Sequence, residues 1–221
     1  GAFAQARKTK LFAFLLILKV AQSATVAEKQ NPSWADETRF GEHQNAWKSI
    51  KQESSVIYYL AQTTYTKDEG SWGDGFYCLA VKELEIKEQD HSVSSVFVFR
   101  NKSNTENDPY EVKEKVKAVK NYGYKDVFNA IEYPTVDGKQ FIDTLIYSDD
   151  VCDLFHVPYA SNEQGGLELW VKEDRIESIP DHCSFLLKYF SLPNSEIHNI
   201  YRNNGCSDVT AKIKKIEESK Q

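Results

Sequence analysis

Eight short runs rich in β-branched and aromatic residues, with no helical pattern between them, occupy the sequence from position 56 to position 171. They are 56–65, 76–82, 93–100, 111–119, 128–133, 141–148, 152–158 and 167–171. Turn-forming residues separate them, among them Asp68-Glu69-Gly70, Gly73-Asp74-Gly75, Asp137-Gly138 and Gly165-Gly166. This pattern predicts an all-β fold, either an antiparallel sandwich or a closed up-and-down barrel. Eight strands closed into a barrel leave an interior just wide enough for a small ligand, and inward residues alternate with outward ones along every strand. Helical signals flank the strands. Ala46, Trp47 and Ile50 mark a helix within 34–52, and Phe185, Leu186, Tyr189 and Phe190 mark a last one after Pro180. No repeat, low-complexity tract or linker interrupts residues 25–211, which predicts one domain, and 212–221 reads as a charged, frayed tail.

The first residues carry a different message. Arg7, Lys8 and Lys10 precede an apolar run over 11–20, broken only by Lys19, and Ala21-Gln22-Ser23-Ala24 follows. A basic start, a short apolar run and a small-residue site predict a secretory signal peptide over 1–24. The run is shorter than the ~20 residues a membrane span needs. In an exported chain, Cys78, Cys152, Cys183 and Cys206 predict two disulfides, with three connectivities open. There is no CxxC pair, and His43, His91, His156, His182 and His198 lack ligand spacing, so no metal site is expected. Asn101-Lys102-Ser103 is a glycosylation sequon, expected on a loop. Residues 1–24 hold four of the 27 basic residues and no acids, so the remainder has 23 basic and 33 acidic residues. A chain with that excess of acids is a poor binder of phosphate backbones.

Some of those acids fall on apolar faces. In 111–119 the lysines at 113, 115 and 117 share one face, which must meet water, so Glu114 turns inward with Val112, Val116 and Ala118. In 152–158, Asp153 shares a face with Phe155 and Val157, although the opposite face is also apolar. In 167–171, Glu168 and Trp170 stand opposite Leu167, Leu169 and Val171, and which face points inward is open. Buried carboxylates cost several kcal/mol each unless paired or neutralised. Arginines after residue 24 are few (Arg39, Arg100, Arg175 and Arg202), so the missing counter-charge is expected from a ligand: a small cation held by carboxylates and ring faces.

From about Asn31 to Cys206 the sequence resembles the tick salivary lipocalins that bind histamine and, in some members, serotonin. The resemblance is carried by Asn31-Pro32-Ser33-Trp34-Ala35-Asp36-Glu37, His43-Gln44-Asn45-Ala46-Trp47-Lys48-Ser49, Val116-Lys117-Ala118-Val119-Lys120-Asn121-Tyr122-Gly123-Tyr124, Tyr147-Ser148-Asp149-Asp150-Val151-Cys152-Asp153 and Leu167-Glu168-Leu169-Trp170. It implies an eight-stranded antiparallel up-and-down lipocalin barrel with flanking helices and two amine sites at opposite ends. The tighter site would use Tyr65, Asp68, Tyr133, Phe141, Glu168 and Trp170. The second would use Ser49, Glu53, Trp72, Glu114 and Asp153, with Phe97 nearby. The implied disulfides are Cys78–Cys206 and Cys152–Cys183. Three departures stand out: Ile131 where a close relative carries Phe, Glu53 in place of Asp, and one extra residue near Gly70-Ser71.

The same resemblance implies a secreted monomer that sequesters biogenic amines in tick saliva, with no catalysis and no cofactor, and with neither nucleic acid nor membrane as partner. The rival readings are a lipocalin for an apolar or anionic lipid mediator, which would need inward Lys or Arg, and a protein-binding inhibitor of host defence. An enzyme built on paired carboxylates, as in glycoside hydrolysis, lacks any supporting motif: GxSxG, HExxH and a phosphate-cradling glycine loop are all missing.

Overall fold

The computed structural model describes residues 30–135, 137–163 and 165–216. The expected signal peptide lies outside them. Two short helices, α1 (Glu37–Phe40) and α2 (Ala46–Ile50), precede the first strand. After β1 (Tyr58–Thr63) comes a small hairpin of β2 (Lys67–Asp68) and β3 (Gly73–Asp74). A meander follows: β4 (Tyr77–Lys87), β5 (Ser92–Arg100), β6 (Tyr110–Val119), β7 (Ala130–Pro134), β8 (Gln140–Ser148), β9 (Cys152–Val157) and β10 (Gly166–Lys172). Each strand from β4 to β10 pairs antiparallel with the next, β4 pairs with β1, and β10 returns to β1 through Tyr59↔Val171 and Leu60↔Trp170. That last ladder closes eight strands into a barrel and decides against the sandwich. All eight expected strands are present, with ends shifted by up to a few residues.

α3 (Ala160–Glu163) sits between β9 and β10 beside the β2–β3 hairpin, and later elements wrap the outside: α4 (Asp181–Phe190), β11 (His198–Asn199) and α5 (Ser207–Lys215). β11 adds to the end of β1 through Gln62↔Asn199. The helical stretch expected over 34–52 is broken into pieces. Asp36 and Asn45 each accept a backbone N–H three residues on, so each starts a new short helix. The tail is a correction to the sequence reading. Residues 212–215 belong to α5, where Val209 and Ile213 are fully buried against the outer wall. Burying each is worth roughly 1.5–3 kcal/mol, which fixes a helix whose last turn is otherwise lysine.

The apolar residues form two clusters. One fills the barrel, with Leu60, Leu79, Val93, Phe97, Phe155 and Trp170 among its members. The other lies between the outer faces of β1, β4, β5, β9 and β10 and the helices α4 and α5, with Tyr59, Leu154, Leu169, Leu187 and Ile213. Two disulfides pin the helices to the wall: Cys152–Cys183 joins β9 to α4, and Cys78–Cys206 joins β4 to the residue before α5. Asn101 stands in the turn after β5. Its Nδ2, the atom a glycan would occupy, donates to the Trp72 carbonyl at 2.9 Å, and its Oδ1 accepts from Ser103 N–H at 2.9 Å. The sequon is therefore on a loop, but its amide is already engaged.

Candidate functional site

Alternation along the closed strands carries a set of acids into the barrel. On β10, Glu168 and Trp170 pack with the inner cluster while Leu167, Leu169 and Val171 pack under the outer helices, which resolves the face left open by the sequence. On β9, Asp153 lies on the inner face with Phe155 and Val157. On β6, Glu114 points inward and Lys113, Lys115 and Lys117 are exposed, as the alternation requires. On β8, Phe141, Asp143 and Leu145 share a face, and Asp143 is 4% exposed. Asp143 was missed by sequence reasoning, although its period-2 relation to Phe141 was there to be read.

These residues meet in one cavity of about 90 Å³, large enough for several ordered waters or a small guest. Ser49, Trp72, Phe97, Glu114 and Asp153 of the expected second site line it, and so do Tyr133, Glu168 and Trp170 of the expected tighter site. Residues of both expected sites thus share a single chamber. Ile131 lines it too, across the sheet from Asp143. Tyr65, Asp68 and Phe141 instead line a second, open basin of about 860 Å³ at the mouth. Glu53 departs from expectation. It is exposed between α2 and β1 and lies outside the chamber lining, because α2 ends at Ile50 and turns the chain back to the surface.

The polar contacts connect mouth and chamber. Glu168 accepts from Tyr65 Oη at 2.5 Å and from Trp170 Nε1 at 2.9 Å. Gly166, two residues earlier, leaves room for Tyr65: a Cβ there would lie 2.5 Å from the Tyr65 ring. Tyr133 Oη donates to Asp143 Oδ2 at 2.7 Å and meets Tyr159 Oη at 2.6 Å. Tyr159 Oη donates in turn to Asp68 Oδ2 at 3.4 Å, while Asp68 Oδ1 accepts the N–H groups of Gly70 and Ser71 at 2.9 Å. At the far end, Ser49 Oγ on α2 donates to Asp153 Oδ2 at 2.9 Å. One oxygen of Asp143 and one of Asp153 are buried without a partner.

No Lys, Arg or His lines the chamber among the described residues. Arg100 is buried, but its guanidinium is spent on Asp208 of α5 outside the barrel. Burial therefore acts on the inner carboxyls with little opposition. It pushes Glu168 up to about 7 despite the hydrogen bonds from Tyr65 and Trp170, and Asp153 up to about 6 despite those from Ser148 and Ser49. Asp68 rises to about 6 and Glu114 to about 7 for the same reason, with Asp68 adding repulsion at Glu114. Asp143 is driven well above the ordinary range by burial and by the nearby Glu168 charge. Tyr65 and Tyr133 are raised too, so they stay neutral donors. Chemically the chamber is a hole shaped for positive charge, walled by the rings of Trp72, Phe97, Tyr133 and Trp170.

A family model described as tick histamine binding protein matches residues 34–208. The chain is 34% identical over 202 residues to the male-specific histamine-binding salivary protein of Rhipicephalus appendiculatus, covering 89% of this chain and 98% of that one. The chain belongs to the tick histamine-binding protein family. A second relative, female-specific histamine-binding protein 1 of the same tick, is 33% identical over 170 residues, 76% of this chain and 86% of its own. Among solved structures, a serotonin complex of AM182 superposes with a TM-score of 0.47 at 18% identity, covering 73% of this chain and 91% of that one.

Proposed function

We propose that this chain is a secreted amine trap: it sequesters histamine, with serotonin as a second candidate guest, stoichiometrically inside the barrel and so blunts the host's inflammatory response at a tick's feeding site. The observation that carries this reading is the set of inward carboxylates, Glu114, Asp143, Asp153 and Glu168, in a chamber lining without a basic residue, with Asp68 buried at the mouth basin beside them. Asp68 and Glu168 hold the two positive ends of histamine at the mouth side, with Asp143 as a further acid between them. Asp153, with Ser49 and Glu114, takes a second ammonium at the α2 end. Family membership supports the same guest. No step of chemistry is required, because capture alone removes the amine.

A lipid mediator with an anionic head finds no counter-charge in this chamber, and a neutral lipid would bury the acids unpaired. Isothermal titration of the purified protein with histamine, serotonin and a fatty acid tests the reading. Saturable heat with an amine and none with the fatty acid is expected. Binding of the fatty acid with silence from both amines sinks the proposal.

A further inference from the structure

The mouth basin and the inner chamber have no lining residue in common. Between them stands Tyr159, which neither the acid pattern nor the resemblance singled out. It follows the end of β9, next to the buried Ala160 that opens α3. Its ring stacks on Phe141 with centroids 3.9 Å apart and planes 21° from parallel, so nothing fits between the two rings. Its hydroxyl reaches inward to Tyr133 at 2.6 Å and sideways to Asp68 at 3.4 Å. The ring thus spans three parts of the mouth: β8 through Phe141, β7 through Tyr133, and the β2–β3 flap through Asp68.

We propose that Tyr159 is the gate between basin and chamber, and that an incoming ammonium opens it by taking over the Asp68 oxygen that the Tyr159 hydroxyl now contacts. The argument rests on the amine reading above for its key, but not for its lock. The Phe141–Tyr159 stack and the Tyr159–Tyr133 contact stand across the way from basin to chamber whatever the guest is. An ammonium reaching Asp68 gains a charge-assisted bond where the phenol makes only a long one, which tips the ring away from Phe141. A neutral guest has no such means of displacing the ring, so on this route charge selects before the chamber is reached.

The test compares wild type, Tyr159→Phe and Tyr159→Ala. Acrylamide, a neutral quencher, reports access to the chamber tryptophans Trp72 and Trp170, and stopped-flow fluorescence reports histamine association and dissociation. Quenching is expected to rise from wild type to Phe to Ala. Histamine association and dissociation should both accelerate, roughly fivefold for Phe from loss of the hydroxyl contacts and about tenfold or more for Ala. Equal quenching and equal rates in all three proteins overturn the gate. Should histamine fail to bind wild type, the amine reading falls while the quenching order still decides the gate. If Tyr159→Ala does not fold, Tyr159→Phe, which keeps the ring, decides the question by itself.

Discussion

At the scale of single residues, the inner acids are costly to the empty protein and useful to the occupied one. Asp143 shows this most sharply: it is buried, it has an unpartnered oxygen, and its hydrogen bond comes from Tyr133. Asp143→Asn removes the charge while keeping the shape. The empty protein is expected to melt at a higher temperature as a result, while histamine binds at least about tenfold more weakly, because one partner of a desolvated charge pair is gone. Differential scanning calorimetry and titration on the same sample check both halves, and a fall in both would mean the residue is structural. Glu168→Gln should weaken histamine far more than Phe141→Leu, by roughly 2–5 kcal/mol against about 1 for the lost ring. Equal losses in titration would defeat a charge-led account. Protons report the same chemistry. With Glu168 at about 7 and Asp68 at about 6 in the empty protein, a bound cation must ionise both, so binding at pH 6 releases protons. Serotonin has no imidazole and should show the release alone, whereas histamine takes a proton up on its imidazole and offsets it. Calorimetry in buffers of different ionisation enthalpy separates the two.

Among the elements, α4 and α5 decide how much of the barrel was legible in the sequence. Where the outer face meets water, as on β6, alternating lysines mark it and Glu114 could be read as inward. Where α4 covers β9 and β10, both faces are apolar, so period 2 cannot say which side holds Asp153 or Glu168. The β2–β3 hairpin is too short for any period, and it is the element that brings Asp68 and Trp72 to the site; only the resemblance pointed there. Glu53 fails for the opposite reason: matching a position by motif assumes the same backbone path, and the chain after Ile50 turns outward. The helices also carry stability. Ile213→Ala empties a fully buried site and should cost about 2–4 kcal/mol in chemical denaturation, with m unchanged and histamine affinity preserved. A large loss of affinity would show that α5 supports the chamber and not only the outer wall.

For the whole molecule, the buried acids set an unusual dependence of stability on pH. Glu83 joins them: it is buried on β4, bonded to Ser95 Oγ at 2.6 Å, and raised to about 7 by burial. Each of these carboxyls binds its proton more tightly folded than unfolded. Stability from them is therefore full below about pH 4 and is lost as pH rises through 6 and 7, at on the order of 1.4 kcal/mol for every tenfold by which folding tightens a buried group's hold on its proton. Surface acids held low by their partners, such as Asp90 and Asp137 at about 2, act in the other direction and lose their contribution only as pH falls through that range. The empty protein should thus melt higher at pH 5 than at pH 8, and saturating histamine should narrow or reverse the gap. Thermal melts across that interval, with and without amine, check it; a flat empty-protein profile would mean the acids are hydrated.

The ladder between β1 and β10 joins residues 58–63 to residues 166–172, near opposite ends of the meander. During synthesis the first strand emerges with one edge unmatched and stays so until its last partner leaves the ribosome. Contacts of such long range are slow to form, and an open edge in the meantime is sticky toward other nascent chains. Truncations that stop short of residue 166 should accumulate as aggregates, so the making of this vessel depends on its final stave.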